Sequence, residues 1–356
     1  MNAAEKNVVI PAQAGIQAAR ERRSVQPPDV IVIGGGIIGL SSAWALCREG
    51  LHVQIYDTAI ASTQASWAGG GILSPLPPGH CEPGLKPLLD ESLRAYPGWC
   101  AELQSLTGID PQFWRCGAQM QDQWWPDIAQ VRSPRLLAAL RNALRLKGAE
   151  VIESAVEEIL IEEGRVCGVK TQGKKIACAH VVLATGAWSG QLHPPTGVKP
   201  IKGEMLLLRG KPGLLQYIVL DDEIYLVPRK DGRILVGSTL EEVGFDSAPT
   251  CAARVHLLNR ATRLWPALAH LPIEQHWAGL RPRTSSGLPL IGASETEGLF
   301  LNTGHFRLGI TLAPASAHHL VRSVTKPTSI AVHPQTPLLP SACTAAPRPG
   351  QVHQRS

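Results

Sequence analysis

The feature that most constrains the fold is a glycine-rich turn near the start of the chain, between an apolar segment and a helix-forming segment. Residues 29–33 (Asp-Val-Ile-Val-Ile) predict a buried parallel strand, and residues 37–48 predict the helix that follows. Gly34, Gly36 and Gly39 form the pattern G-x-G-x-x-G, whose glycines provide a tight turn, close backbone approach to a pyrophosphate and close helix–strand packing. The helix N-terminus adds N–H groups and a partial positive charge. The turn therefore predicts a dinucleotide-binding site.

An acidic residue closes the next apolar segment. Residues 52–56 predict a second strand, and Asp57 follows it, 18 positions after Gly39. The dinucleotide fingerprint has an acid about 20 positions on, where its carboxylate accepts hydrogen bonds from a ribose diol. A glycine-rich turn without a ligand is the alternative. The order strand, turn, helix, strand and acid favours the dinucleotide.

Composition limits the class of protein. The chain has 356 residues, 44% of them hydrophobic and 18% charged, which is typical of a globular protein with a large core. The net charge is only +5, and no block of Lys and Arg is interleaved with aromatic residues, so we expect no nucleic-acid partner. The eight cysteines contain no C-x-x-C pair and no metal-finger spacing. Scattered cysteines are typical of a reducing compartment, so we expect a cytoplasmic protein without a metal.

No membrane span is expected either. The longest apolar stretch, 30–47, has glycines at its centre and an acid just before it, which favours strand and turn over a transmembrane helix. Residues 1–28 lack the continuous apolar segment of a secretory signal and predict a disordered leader. Residues 326–356 carry many prolines with Ser and Thr and predict a disordered tail. The folded part is therefore expected at 29–325.

Further along the chain, β-rich segments interrupt the nucleotide-binding pieces. The glycine-rich segment 61–75 predicts a loop laid against a large flat ligand, and a helix is expected from Ser133, with that serine as its N-cap. Segment 156–178 predicts three antiparallel strands, and 198–240 predicts a β-meander. The other predicted elements are helices at 83–107 and 250–264, strands at 180–184 and 298–302, and a helix from 309. Nucleotide-binding pieces thus bracket a β-rich insertion, in which a substrate would bind.

Several motifs, in this order along the chain, resemble those of a known family. They lie at 65–74 (ASWAGGGILS), 184–190 (ATGAWSG), 198–204 (VKPIKGE), 225–233 (YLVPRKDGR), 277–282 (WAGLRP), 287–292 (GLPLIG) and 304–310 (GHFRLGI). With the dinucleotide turn, they resemble the FAD-dependent amine oxidases of the D-amino-acid oxidase superfamily, and within it the glycine oxidases of thiamine biosynthesis. The resemblance covers nearly all of 29–325.

The resemblance implies a fold and its division. It implies an α/β protein in which a Rossmann-like FAD-binding domain, of the glutathione-reductase type, carries an inserted antiparallel β-rich substrate domain. FAD is the implied cofactor. The implied FAD-binding domain comprises 29–78, 133–195 and 279–325. The implied substrate domain comprises 79–132 and 196–278.

The resemblance also implies which residues hold FAD. Ile37 and Ile38 match the positions where the backbone meets the pyrophosphate. Asp57 and Thr58 match the adenosine ribose site, and the backbone of Val156 matches the adenine site. The full implied set is Gly34, Gly36, Ile37, Ile38, Gly39, Asp57, Thr58, Gln64, Ala65, Gly70, Gly71, Ile72, Val156, Thr185, Gly186, His305, Phe306, Arg307, Leu308, Gly309, Ile310 and Thr311.

Three residues are implied for the substrate, and these are the expected catalytic residues. Arg281 and Arg307 match the family's substrate-binding arginines, and Tyr225 matches its pocket tyrosine. A guanidinium suits an amino-acid carboxylate because its planar fork matches two oxygens. The alternatives are a surface salt bridge for Arg281, a structural carboxylate partner for Arg307 and an unliganded core position for Tyr225. His305 is expected to pack or hydrogen-bond near the flavin rather than to act as a general base.

Two departures from the family pattern bear on substrate preference more than on flavin binding. Leu308 stands where Asn is common, and Ile72 replaces a frequent Met. A third residue, Trp277, lies four positions before Arg281 and is expected to form a wall of the substrate pocket.

The implied reaction is the oxidation of glycine and other small amines to the imine, which for glycine hydrolyses to glyoxylate and ammonia while oxygen is reduced to hydrogen peroxide. The resemblance implies that the imine feeds thiazole assembly in thiamine synthesis. The implied partners are a small amino-acid substrate and molecular oxygen, and a homo-oligomer stays open. Sarcosine and D-amino-acid oxidation are the alternatives within the superfamily.

Two alternatives come from other classes of protein. An NAD(P)-dependent dehydrogenase would share the first glycine turn, but it would not explain the glycines at 69–71 or the strand end at Thr185. A non-catalytic flavin-binding protein would keep the nucleotide site and lose the set of Tyr225, Arg281 and Arg307, which this chain retains.

Overall fold

The computed structural model describes residues 27–58, 65–75, 83–149 and 151–326. Gln64, the predicted leader up to residue 26 and the predicted tail from residue 327 lie outside the described residues. Within those ranges the α-helices are α1 Ile37–Arg48, α2 Ala65–Ala68, α3 Lys86–Thr107, α4 Ser133–Leu146, α5 Ser189–Leu192, α6 Cys251–Leu264 and α7 Gly309–Thr325. None of these helices is long and apolar enough to cross a membrane.

A six-stranded sheet forms the centre of the first half of the molecule. Its strands, in spatial order, are β17 Leu290–Ala293, β18 Leu299–Thr303, β11 Val181–Leu183, β1 Val30–Ile33, β2 Val53–Asp57 and β7 Val151–Glu153. The strands from β18 to β7 run parallel, and β17 pairs antiparallel with β18. The predicted parallel strand before the glycine turn is therefore confirmed, and it occupies a central position in the sheet.

Side chains of β1 alternate between two buried clusters. Val30 and Val32 pack with helices α1, α3, α4 and α7 on one face of the sheet. Ile31 and Ile33 pack on the other face against the three-stranded antiparallel sheet of β8 Val156–Glu162, β9 Arg165–Thr171 and β10 Lys174–Ala177. Because both faces are covered, the strand is apolar throughout instead of alternating with polar residues. The predicted three-stranded excursion is confirmed.

A seven-stranded sheet forms the second half of the molecule. Its strands, in spatial order, are β16 Ile273–Arg283, β12 Lys199–Arg209, β15 Arg233–Gly237, β14 Tyr225–Pro228, β13 Ile218–Leu220, β4 Ala118–Met120 and β5 Gln123–Trp125. All neighbouring pairs are antiparallel except β13 and β4, which run parallel. The expected antiparallel insertion therefore includes one parallel pair. A short pair, β3 Ile72–Leu73 and β6 Ala129–Gln130, lies beside it.

The two faces of this sheet have different neighbours. Leu206 and Val236 pack against α6 on the outer face. Met205, Val227 and Leu235, each next to an outward-facing residue, form a second cluster on the opposite face, together with Tyr225. This inner face turns toward the first half of the molecule, so a cavity can form between the two sheets.

The packing of two elements bears on the predicted division into domains. Helix α3 lies within 79–132, which the sequence assigns to the substrate domain. Its buried residues Tyr96, Cys100 and Leu103 belong to the same cluster as β1 and the other helices of the first half. Strand β16 crosses the predicted boundary at 279 and pairs along its whole length with β12. The segment 61–75, predicted as a loop, contains α2 and β3 in its described part.

Candidate active site

A cavity of about 640 Å³ lies at the carboxyl end of the parallel strands. It extends from the glycine turn after β1, past the ends of β2 and β11, to the inner face of the second sheet. The next strands of this sheet along the chain, β2 and β7, lie on one side of β1, and the later strands β11 and β18 lie on its other side, so the strand order reverses at β1. Ligands of open α/β sheets bind at such a switch point.

Nearly all of the predicted site residues line this cavity. Among the described residues of the predicted cofactor and catalytic sets, Gly39 is the exception. A Cβ on Gly39 would collide with the carbonyl oxygen of Gly34, so this glycine allows α1 to pack closely on β1. Its part in the site is therefore indirect.

The N-terminus of α1 opens into the cavity. The N-cap is Gly36, which has no side chain that could cap the helix. The Ile37 N–H donates to Ser66 Oγ at 2.9 Å. A Cβ added to Gly36 would come near Ser66 Oγ, at 3.1 Å, and near no other described atom within 4 Å. A helix start with open space above it suits a pyrophosphate. The turn therefore fits the dinucleotide that its sequence predicts.

Asp57 ends β2 at the same edge of the cavity. Its Oδ2 lies 3.8 Å from Nη2 of Arg141, and that guanidinium also donates to the carbonyl of Gly35 at 3.0 Å. The arginine thus orients the carboxylate beside the glycine turn. An oriented carboxylate at this position can accept hydrogen bonds from a ribose.

Arg281 projects from β16 at the opposite end of the cavity. Its Nη2 donates to Ser238 Oγ at 2.7 Å, and its Nη1 donates to the carbonyl oxygens of Thr239 and Lys202 at 3.2 and 3.3 Å. No described carboxylate lies within 4.0 Å of it, so the surface salt bridge is not what the structure shows. Burial lowers the pKa of Arg281, and nearby Arg307 lowers this pKa too. The guanidinium has room because residue 203, beneath it, is glycine.

Tyr225 and Arg307 complete this end of the cavity. The ring of Tyr225 lies between Gly70 and Gly237, where added Cβ atoms would come within 3.1 and 2.7 Å of it. Burial lowers the pKa of Arg307, and the neighbouring Tyr225 opposes that shift. The same tyrosine opposes the pKa shift of Arg281. The three predicted catalytic residues therefore lie close together around one space.

His305 is a buried packing residue at this end of the cavity. It is 3% exposed, and its Nε2 lies 3.0 Å from Ser316 Oγ on α7. Burial lowers the pKa of His305 to about 3, so the ring is neutral at ordinary pH. This agrees with the expected packing role and gives no support to general base catalysis.

The structure explains the leucine at position 308 and contradicts the expected role of Trp277. Leu308 lines the cavity but also packs with Leu89 and Leu312 in an apolar cluster, which an asparagine would disrupt. Trp277 does not line the cavity, so its expected role as a wall is wrong. Its ring makes an edge contact with Trp67, at 5.7 Å between centroids, and its Nε1 donates to the carbonyl of Ala68 at 3.3 Å.

Sequence reasoning missed Arg229, which is buried next to the site. Its Nη2 donates to the carbonyl of Gly70 at 2.9 Å, and its Nη1 donates to Gln130 Oε1 at 2.7 Å and to the carbonyl of Val131 at 3.1 Å. Burial lowers the pKa of Arg229 to about 10. The side chain ties the loop under the cavity to β6 and the chain after it. A charged residue directly after an apolar strand was the available signal.

A group of ligand-type side chains lies outside the cavity, between α3 and α7. His318 Nδ1 lies 2.7 Å from one carboxylate oxygen of Glu91, and His319 Nε2 lies 2.9 Å from the other. All three side chains are partly exposed. Hydrogen-bonded pairing between the two helices therefore accounts for the cluster.

The parallel sheet, the glycine turn and the cavity define a dinucleotide-binding protein whose site is covered by a second sheet. The chain belongs to the FAD dependent oxidoreductase family, whose model matches residues 29–120 and 122–323. It is an FAD-dependent oxidoreductase, and FAD is its cofactor.

Relatives with known names are similar over most of the chain. A glycine oxidase of Pseudomonas aeruginosa is 37% identical over 82% of this chain and 93% of its own length. A bifunctional protein ThiO/ThiG of Trichormus variabilis is 34% identical over 81% of this chain and 51% of its own length. The crystal structure of glycine oxidase from Geobacillus kaustophilus is 28% identical, with a TM-score of 0.79, over 83% of this chain and 94% of that one. These likenesses confirm the FAD-binding α/β fold.

Proposed function

We propose that this protein oxidises glycine and other small amines to the imine. For glycine, the imine takes up water to give glyoxylate and ammonia, and molecular oxygen takes up the two electrons and two protons as hydrogen peroxide. The observation that carries the proposal is the position of Arg281. Its guanidinium lines the cavity beside Tyr225 and Arg307, and it has no carboxylate partner among the described residues.

The protein's own residues bind and orient the substrate. A buried guanidinium whose bonds go to neutral acceptors can pair with an amino-acid carboxylate through its planar fork. Arg281 has this arrangement, with Arg307 and Tyr225 beside it. Holding the carboxylate fixes the α-carbon and its amine in one orientation, which is the main contribution that a protein makes in such reactions. FAD supplies the two-electron acceptor when it is bound.

The cofactor site is part of the same proposal. Gly34, Gly36 and the start of α1 would hold the pyrophosphate, Asp57 with Thr58 would hold the adenosine ribose, and the backbone at Val156 would contact the adenine. The loop at 70–72 and the segment 305–311 would hold the flavin end. The proposed arrangement would be the glutathione-reductase type of FAD-binding domain. The cavity that these residues line supports it.

The division of the chain and its biological setting are proposed on the same resemblance. The FAD-binding domain would comprise 29–78, 133–195 and 279–325, with 79–132 and 196–278 as the substrate domain. The similarity to a bifunctional ThiO/ThiG protein supports a place in thiamine synthesis, with the imine as the product that is passed on. A cytoplasmic location and partners limited to a small amino acid and oxygen complete the proposal.

The test is a substrate panel followed by loss of the flavin absorbance without oxygen. We expect glycine and sarcosine to reduce the bound flavin faster than D-phenylalanine or D-leucine, and we expect hydrogen peroxide when oxygen is readmitted. A protein that took up no flavin on reconstitution would contradict the cofactor site. Faster reduction by D-phenylalanine or D-leucine than by glycine would contradict the glycine oxidase assignment.

A further inference from the structure

Arg281 is held by a segment that is itself fixed from behind. Its hydrogen-bond acceptors are Ser238 Oγ, the Thr239 carbonyl and the Lys202 carbonyl. Ser238 and Thr239 follow the end of β15, and Lys202 is in β12. The direction of the guanidinium therefore depends on how the segment 238–241 is attached to β12.

The main chain makes part of that attachment. The Lys202 N–H donates to the carbonyl of Glu241 at 2.9 Å, and the Glu241 N–H donates to the carbonyl of Lys202 at 3.0 Å. Thr239 adds a side-chain link, because its Oγ1 accepts from the Glu204 N–H at 2.9 Å and donates to Glu241 Oε1 at 2.6 Å. The segment is thus bonded to β12 on both sides of Gly203, over which the guanidinium lies.

A buried ion group completes the attachment. The side chain of Lys202 is 1% exposed, and its Nζ lies 3.0 Å from Glu204 Oε1, 3.2 Å from Glu241 Oε2 and 3.2 Å from the carbonyl of Ala248. An ammonium has three N–H donors, so these three acceptors satisfy it. A buried lysine is costly unless it is paired and hydrogen-bonded.

The carboxylate of Glu204, a second member of the group, is also fully bonded. The side chain of Glu204 is 0% exposed, and besides Lys202 it accepts from the Thr250 N–H at 2.9 Å and from Thr250 Oγ1 at 3.1 Å. Its Oε2 lies 2.8 Å from His276 Nε2. Because every polar atom has a partner, the group is rigid, and Glu241 is its solvent-side member, with its side chain 30% exposed.

The group places carboxylates near Arg281 without a direct bond to its guanidinium. Lys202 pairs with two carboxylates, so these three side chains together carry one more negative than positive charge, close to the guanidinium. Burial lowers the pKa of Arg281, and its interactions with Tyr225 and, to a smaller extent, with Glu241 oppose that shift. A carboxylate bonded directly to the guanidinium would compete with the substrate. The carboxylate of Glu241 does not bond to Arg281, so it can support the positive charge of Arg281 and leave the guanidinium N–H groups open to a substrate.

We propose that Lys202 and Glu241 are positioning residues for Arg281: their partly buried ion pair fixes the segment 238–241 and so aims the guanidinium at a substrate carboxylate. This inference rests on the proposed function, in which Arg281 binds that carboxylate. It assigns to Lys202 and Glu241 a role in the strength of carboxylate binding, with no contact to the substrate.

The test compares Glu241→Gln with the neighbouring Glu242→Gln. Glu242 is a matched control because it is 75% exposed and pairs with Arg283 at 3.3 Å, on the surface. For Glu241→Gln we expect KM for glycine, and Kd for acetate measured from the flavin spectrum of the holoenzyme, to rise by about tenfold or more, the size of one lost charge-assisted bond. We expect kcat to change much less. Glu241→Asp should recover part of the loss, and Glu242→Gln should match the wild type.

A second variant keeps the test decisive if Glu241→Gln does not fold. Thr239→Val removes only the hydroxyl that links Glu204 to Glu241, and we expect it to raise the same two constants. Unchanged acetate and glycine constants in the variants would overturn the positioning role, as would equal losses in Glu241→Gln and Glu242→Gln. If the wild type binds acetate but does not oxidise glycine, the proposed function fails while the acetate series still decides the positioning role. A wild type that binds no small carboxylate would overturn both.

Discussion

The hydroxyl of Tyr96, on α3, donates a hydrogen bond to the carbonyl oxygen of Ile310, in the first turn of α7. In a regular helix that carbonyl accepts from the N–H of residue 314, and residue 314 is a proline, which has no N–H. Tyr96 is fully buried, and its hydroxyl replaces the missing helical bond. Because Ile310 lines the cavity, helix α3 stabilises the segment that we propose to hold the flavin.

We predict that Tyr96→Phe lowers the free energy of unfolding by about 1–3 kcal/mol, because it leaves the carbonyl of Ile310 without its donor. In a Pro314→Ala background, the alanine N–H can bond to Ile310, so the same substitution should cost markedly less. Urea unfolding of the four proteins of this cycle measures the difference. An equal cost of Tyr96→Phe in both backgrounds would show that the proline is not the reason for the tyrosine bond.

Local chemistry explains which parts of the fold the sequence could predict. Helix α1 was predicted at 37–48 because it directly follows the glycine turn. The three strands β8 to β10 were predicted from two turns, and in both turns the backbone adopts positive φ, with Glu163 at 51° and Gln172 at 47°. Such features depend on a few neighbouring residues. They can therefore be read from a short segment.

Long-range packing explains the rest. Ser133 has the residue type of an N-cap, but it lies inside α4, Arg132 is the N-cap, and the serine hydroxyl donates to the carbonyl of Gly69 at 2.8 Å. A contact with a residue 64 positions away has no local signal. The same holds for the parallel pairing of β4 with β13 and for Arg229 beneath Gly70. The role of Arg281 was predicted from the family resemblance, whereas its hydrogen-bond acceptors are visible only in the structure.

The role of Arg281 predicts a specific kinetic change. Arg281→Met removes the guanidinium that we propose to pair with the substrate carboxylate, so we expect a loss of about 2–5 kcal/mol in kcat/KM for glycine, mostly through KM. The flavin absorbance spectrum should stay intact. The control is Arg209→Met, in the same sheet, whose guanidinium is 66% exposed and pairs with Glu274. Unchanged glycine turnover in Arg281→Met would reject the assignment.

The carboxylate at the end of β2 predicts a defect confined to cofactor binding. Asp57→Ala removes the acceptor that we propose for the ribose, which should weaken FAD binding by about 1.5–3 kcal/mol, or roughly tenfold to a hundredfold in Kd. Titration of apoprotein with FAD, followed by quenching of flavin fluorescence, measures this. Asp127→Ala is the control because its side chain is 89% exposed. Equal FAD affinity in the two variants would count against a ribose contact at Asp57.

The buried imidazole of His305 predicts part of the pH dependence of stability. Burial lowers its pKa from the ordinary 6.5 to about 3, so between these values the unfolded chain binds a proton at this site that the folded chain does not. The free energy of unfolding should therefore fall as pH decreases from 6.5, by about 2 kcal/mol at pH 5 from this residue alone, and this contribution should be constant above pH 7. His305→Gln lacks the titrating group, so its stability should decline less over that range in chemical unfolding of the holoenzyme with excess FAD. The exposed His270→Gln is the control and should keep the wild-type slope. Parallel pH profiles for wild type and His305→Gln would show that the buried ring does not contribute to acid sensitivity.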